Sequence, residues 1–205
     1  MTPLRGKVFA GFFFRRLCYI LRMNERDIVE LVKADPWMMS VLREAEKLHL
    51  PEWMIGAGFI RNKVWDYLHD IKREVADTND IDLVYFDSKN TDEERDRALS
   101  AKLNGTFGLD WEIKNQAYMH ARHSHTPYHS TEEGISHWVE TPTCVAVTLE
   151  NGEPMIIAPH GIGDLVNLIV RPSPTTKARR LDYFYERIEK KQWLTKWPKL
   201  KVVVD

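Results

Sequence analysis

The sequence predicts an α/β or α+β domain, a mixed sheet flanked by helices, and three observations carry that expectation. Apolar residues recur at three- and four-residue spacing over 25–33 and 36–48, the period of an amphipathic helix. Short apolar runs at 53–55, 81–86 and 109–116 read as strands interspersed with helical segments. Asn151-Gly152 joins two more such runs, 143–150 and 154–158, and this dipeptide is a strong hairpin signal. Strands and helices intermix along the chain with no internal repeat and no low-complexity segment.

Each element has a local reason. Asp35 before Pro36 supplies an N-cap followed by proline at the first helical position. Gly56 and Gly58 turn the strand at 53–55 into a helix over 59–69. Thr91-Asp92-Glu93-Glu94 fits a capping box with Thr91 as N-cap, opening a charged helix to about residue 103. Residues 119–128 are polar and rich in histidine, and 131–138 read as a short helix. Helices are expected over 162–170 and 177–190, the latter with Arg180, Asp182 and Glu186 on exposed faces.

Composition narrows the class. A chain of 205 residues makes one domain of ordinary size, with or without a small extension. Its 43% hydrophobic content suffices for a packed core. A net charge of -1, from 29 basic and 30 acidic residues, argues against non-specific nucleic-acid binding, which needs many phosphate-neutralising cations. Cys18 and Cys144 make neither a disulfide framework nor a cysteine zinc site, so a reducing cytoplasm is the default location. The apolar run over 8–21 is interrupted by Arg15 and Arg16, lacks a cleavage pattern and is too short to span a bilayer. Three readings remain for it: a surface-lying amphipathic helix, a segment docked on the domain, or residues preceding a natural start at Met23. Residues 1–24 are therefore set apart as an extension that need not be native, and 25–205 as a single domain.

The chemistry concentrates between residues 55 and 86. Alternate residues of a strand point to one face, so Asp80 and Asp82 project together while Ile81, Leu83 and Phe86 supply the apolar surroundings. Two adjacent carboxylates repel, and a divalent cation removes that cost. The competing reading is a strand-end pair satisfied by turn amides.

Hydrophobic-Gly-x-Gly, a helix and then Asp-x-Asp on a strand resembles the nucleotidyltransferase superfamily with its polymerase-beta-like fold. Ala57-Gly58-Phe59-Ile60-Arg61-Asn62 is similar to the Gly-Gly-x-Val-Arg-Asp turn of tRNA CCA-adding enzymes and poly(A) polymerases. It departs at Ala57, where the first Gly stands, and at Asn62, where the Asp stands. Val64-Trp65-Asp66, Lys114-Asn115-Gln116-Ala117, Met119-His120, Pro127-Tyr128, Trp138, Glu140-Thr141, Ala158-Pro159, Gly161, Asp164-Leu165, Arg171-Pro172 and Trp197-Pro198 extend the likeness. From about residue 35 onward the chain looks like a bacterial family of stand-alone nucleotidyltransferase-like proteins.

The resemblance implies transfer of a nucleoside monophosphate from an NTP, with Mg2+ or Mn2+ held by Asp80 and Asp82. Gly56 and Gly58 then let the backbone approach a triphosphate, and Arg61 holds phosphate oxygens. The alternatives are a tight turn for the glycines and an ion pair with Asp66 or Asp87 for Arg61. The family's usual third carboxylate has three candidates. Asp110, Glu112 and Lys114 share one strand face opposite Trp111 and Ile113; Glu112, mid-strand, comes first, Asp110 second and Glu140 third. An exposed polar face is the competing reading. Asn115, His120 and Tyr128 match the family pattern and are expected to read a base or sugar, although Asn115 also suits a strand-end cap. His120, His123, His125 and His129 allow zinc, but no Cys or carboxylate accompanies them, which favours an ordinary polar loop. Asp164 reads as a helix cap, Arg171 as a cation near the cleft, and the tryptophans as core.

The leading function is a magnesium-dependent nucleotidyltransferase acting on a hydroxyl of a small molecule, a protein or an RNA, with the near-neutral charge favouring the first two. The alternatives are a nucleotide-binding module without turnover and a partner-regulated, toxin-like transferase.

Overall fold

A computed structural model describes residues 23–73 and 80–204. The expectations for the N-terminal run through residue 22 and for the linker that includes Asn79 lie outside the described residues.

The first helix, α1 (Glu25–Lys33), begins with a reciprocal cap: Asn24 Oδ1 accepts from the Arg26 and Asp27 amides, and the Asp27 carboxylate accepts from the Asn24 amide at 2.9 Å. Asp35 caps α2 (Pro36–Glu46) through the Trp37 and Met38 amides, as its sequence predicts. There follow β1 (Met54–Gly56), α3 (Gly58–Leu68), β2 (Asp80–Tyr85) and α4 (Glu93–Leu103). Asp92, not Thr91, caps α4: its side chain accepts from the Glu94 amide at 2.9 Å. The capping box expected from Thr91 is thus replaced by a single cap from Asp92.

Next come β3 (Asp110–Asn115) and α5 (Gln116–Arg122). The histidine-rich stretch thus opens as a helix, begun by Asn115, whose Oδ1 accepts from the Ala117 amide. Ser130 caps α6 (Thr131–Ser136). The hairpin of β4 (Ala146–Glu150) and β5 (Glu153–Ile157) turns on Asn151 and Gly152 at φ 52° and 81°, the left-handed pair a two-residue loop requires. Only a single turn, α7 (Gly163–Val166), replaces the helix expected over 162–170, because Leu168 at φ 60° reverses the chain into β6 (Ile169–Val170). The helix expected over 177–190 is two: α8 (Pro174–Arg179) and α9 (Leu181–Lys191), with Arg180 between them outside helical geometry. The chain ends with α10 (Trp193–Lys196) and β7 (Lys201–Val202), which pairs in parallel with β6.

The main sheet runs β3-β2-β1-β4-β5, with β2 and β3 parallel and the other neighbours antiparallel. It is the expected mixed sheet. Its two faces differ. Ile81, Leu83, Tyr85, Trp111 and Ile113 join Phe59, Ile60, Val64 and Trp65 of α3 in the main core. The other face carries a small apolar cluster of Met54, Val84, Ile135 and Ala146, and beside it the charged residues of β2 and β3. Trp193 and Trp197 pack edge-on against Trp65 at 5.5 and 5.2 Å, and Trp197 Nε1 donates to Asp66, so the C-terminal segment is fastened to α3.

Candidate active site

The register of β2 and β3 sets the site. Asp80 lies opposite Asp110, Asp82 opposite Glu112, and Val84 opposite Lys114. Paired residues of parallel strands share a face, so four carboxylates and one ammonium emerge on the side away from the main core. Asp82 and Glu112 line a cleft of 330 Å3, together with Ala57, Thr143 and residues of α5, α6, α8 and α9. The Asp82 carboxyl is pushed up to about 6, first by burial, then by the negative charges of Asp80 and Glu112; Arg61 and Arg187 only partly offset them.

Hard oxygen donors of this kind suit a divalent cation. Among the described residues, no group of three or more His, Cys, Asp or Glu side chains is arranged to hold an ion unaided. That fits magnesium, which binds one or two carboxylates and fills its remaining positions with water and substrate phosphates.

The glycine turn behaves differently from its sequence reading. A Cβ on Gly56 would meet the Trp138 ring at 2.5 Å, so this glycine makes room for an indole. Gly58 is the buried first residue of α3. The backbone reversal falls on Ala57, at φ 52° and ψ -121°, in a region that favours glycine. Ala57 itself lines the cleft, and no side chain caps α3.

Arg61 is not an open phosphate ligand. It is buried: its Nε donates to Asn62 Oδ1 at 3.0 Å, its Nη1 donates to Thr143 Oγ1 at 2.8 Å, and its guanidinium lies 4.4 Å from the Trp193 ring. Burial lowers it to about 10, while Glu140, Asp82 and Asp80 favour its charge. The predicted alternatives fail as well. Asp66 pairs with Arg73 at 2.9 Å and Asp87 with Arg95 at 2.7 Å. Glu140, the third candidate acid, is fully buried and accepts from Thr143 Oγ1 at 2.7 Å and Arg187 Nε at 2.8 Å. It anchors the cationic wall behind the site and is committed there.

Asn115 uses its side chain structurally. Oδ1 accepts from the Asp87 and Ala117 amides, and Nδ2 donates to the Asp87 and Asn90 carbonyls. That satisfies both ends of the amide. His120 sits one position around α5 from the stripe of Gln116, Met119 and His123 that faces the cleft. Its ring meets Tyr128 edge-on at 6.0 Å, and its Nδ1 is buried without a hydrogen-bond partner. Asp164, read as a helix cap, instead accepts from Thr141 Oγ1 and Arg171 Nε, and this ion pair takes up the Arg171 charge.

Sequence reasoning missed that one wall of the cleft assembles from His125, read as part of a polar loop, Arg180, expected on an exposed face, and residues not singled out at all. His125, His137, Thr175, Arg179, Arg180 and Arg187 line the cleft. His137 stacks on Tyr128 at 5.0 Å and lies 4.7 Å from His125. Burial, followed by nearby positive or imidazole groups, lowers the pKa of both His123 and His125; burial also lowers that of His137. A helical reading of 116–122 would have exposed the 116/119/123 stripe. The α8–α9 break left no signal in local composition.

Comparisons with known proteins agree with this fold. The profile of a family described as Nucleotidyltransferase matches residues 43–202. A solved NMR structure described as revealing a CCA-adding enzyme head domain is 31% identical, with 89% of this chain and 97% of that one covered and a TM-score of 0.77. A CCA-adding enzyme in complex with CTP is 15% identical, with 88% of this chain and 43% of that one covered and a TM-score of 0.55. The Thermotoga maritima CCA-adding enzyme complexed with tRNA is 14% identical, with 88% and 42% covered and a TM-score of 0.54. The last two share the fold, and this chain spans less than half of their length. No curated protein matches the chain. Among the described residues no helix is long and apolar enough to cross a membrane.

Proposed function

Because the chain belongs to the nucleotidyltransferase family, we propose that this transferase moves a nucleoside monophosphate from an NTP to a hydroxyl of a small molecule, a protein or an RNA, with Mg2+ or Mn2+ as cofactor. The observation that carries this reading is the register of Asp82 with Glu112, both lining the cleft, with Asp80 on the same sheet face two residues before Asp82. Asp80 and Asp82 would hold the divalent ion, which would supply charge neutralisation around the phosphates. Glu112 completes the acidic set and accepts the proton of the acceptor hydroxyl as its oxygen bonds to the α-phosphorus and pyrophosphate leaves. Arg61, fixed behind the carboxylates by Thr143 and two tryptophans, keeps their charge tolerable when the ion is away.

CTP and tRNA belong to the larger CCA-adding enzymes. A net charge of -1 on this chain favours a small molecule or a protein as acceptor over tRNA. Incubation with each labelled NTP, Mg2+ and cell extract tests the reading: a labelled product that requires Asp80 and Asp82 supports it. Nucleotide binding with no transfer in any extract favours the second reading, a binding module without turnover.

A further inference from the structure

The cleft holds a second concentration of charge that the carboxylates do not use. In an unbroken helix, consecutive residues point about 100° apart. The break at Arg180, with φ -148° and ψ 45°, lets both Arg179 and Arg180 line the cleft. Lys114 lines it too, two residues beyond Glu112 on the same strand face. Arg187 is a different case, its charge being taken up by Glu140.

Among the described residues, Lys114, Arg179 and Arg180 form no ion pair with a carboxylate. Arg179 donates to the Ser124 carbonyl at 3.2 Å, and the Arg180 guanidinium lies 4.2 Å from the Tyr183 ring. A guanidinium has five N–H donors, so most of the donors of both arginines remain for a ligand. Like charges gathered in one cleft repel each other, and an anion between them offsets that cost. A planar guanidinium matches the oxygens of a phosphate bidentately.

From this juxtaposition we infer that Arg179, Arg180 and Lys114 form a phosphate-binding subsite in the cleft, separate from the ion held by Asp80 and Asp82. The phosphate is either the terminal part of the NTP or an ester carried by the acceptor. Which of these it is rests on the transferase reading; anion binding itself does not.

Inorganic phosphate, titrated in EDTA and followed by amide and imidazole NMR shifts, tests the subsite. The Arg179→Gln/Arg180→Gln variant replaces two exposed side chains, and its thermal unfolding serves as the check on folding. Saturable phosphate binding by the wild-type chain, weakened at least about tenfold in the variant, is the expected result. Equal affinity in both proteins, or no saturable binding by the wild type, overturns the inference. The Asp80→Asn/Asp82→Asn variant should still bind phosphate in EDTA, so failure of the transferase reading leaves this result standing. Mg-ATP identifies the source. If ATP displaces phosphate and its own affinity falls in the arginine variant, the subsite serves the nucleotide. If ATP and phosphate bind together and ATP affinity is unchanged, it serves a phosphorylated acceptor.

Discussion

Asp82 and Glu112 stand opposite each other in the parallel pair of strands at one edge of the sheet, and both face the cleft. The strand carrying the aspartate pair is thus the immediate neighbour of the strand carrying the proposed base.

Replacing both Asp80 and Asp82 with Asn should abolish joint binding of Mn2+ and nucleotide, because it removes two adjacent hard oxygen donors from the strand face that would hold the ion. Calorimetric titration with Mn2+ and each NTP checks this. Unchanged heats in the double variant would remove the aspartates from the site.

Glu112→Gln should lower turnover by at least about a hundredfold, the range of a lost general base. Glu112 is exposed, so the unfolding temperature should hardly move. Transfer assays paired with thermal melts separate the two effects, and a variant with near wild-type turnover would shift attention to Asp110.

The ion-free protein should lose stability as pH rises through about 6. Asp82 in the fold holds its proton up to that pH, above the ordinary carboxylate value of 3.8, so the folded state binds the extra proton between these limits. Stability from this group is present below pH 3.8 and lost as pH passes 6. Asp82→Asn should therefore stabilise the protein by about 1 kcal/mol at pH 8 in EDTA, allowing for solvent screening, and by little at pH 4. Denaturant melts of both proteins across this range give the answer.

Neighbouring substitutions in the turn should act oppositely. Ala57→Gly relieves a backbone at φ 52° and should stabilise the fold by about 1 kcal/mol. Gly56→Ala drives a methyl into Trp138 and should cost about 1–3 kcal/mol, the range of overpacking. Equal effects from both, measured by urea unfolding, would contradict this account of the turn.

Asn115→Ala should destabilise by about 1–3 kcal/mol, since it strands the Asp87 and Asn90 carbonyls and two amides. Its folded fraction should bind NTP with wild-type affinity. A selective loss of nucleotide affinity would restore Asn115 as a base-reading residue.

The sequence by itself determined what is local. The period-two spacing of Asp80 and Asp82, the Asp35-Pro36 helix start and the Asn151-Gly152 turn each depend on a few adjacent residues, and each takes the expected conformation. The likeness to the nucleotidyltransferases was legible for the same reason, being carried by short motifs. Only the tertiary structure decided which of the marked residues face the cleft. Arg61 is turned into the Trp193 and Thr143 wall, Asn115 is consumed by loop carbonyls, and Gly56 yields its space to Trp138. Each of these outcomes depends on a partner at least 25 residues away, and local spacing carries no information about such partners. The arginine wall arose in the same way: burial of Phe184 and Ile188 accompanies the break between α8 and α9, and the break turns Arg179 and Arg180 toward a cleft lined by the much earlier Asp82 and Glu112.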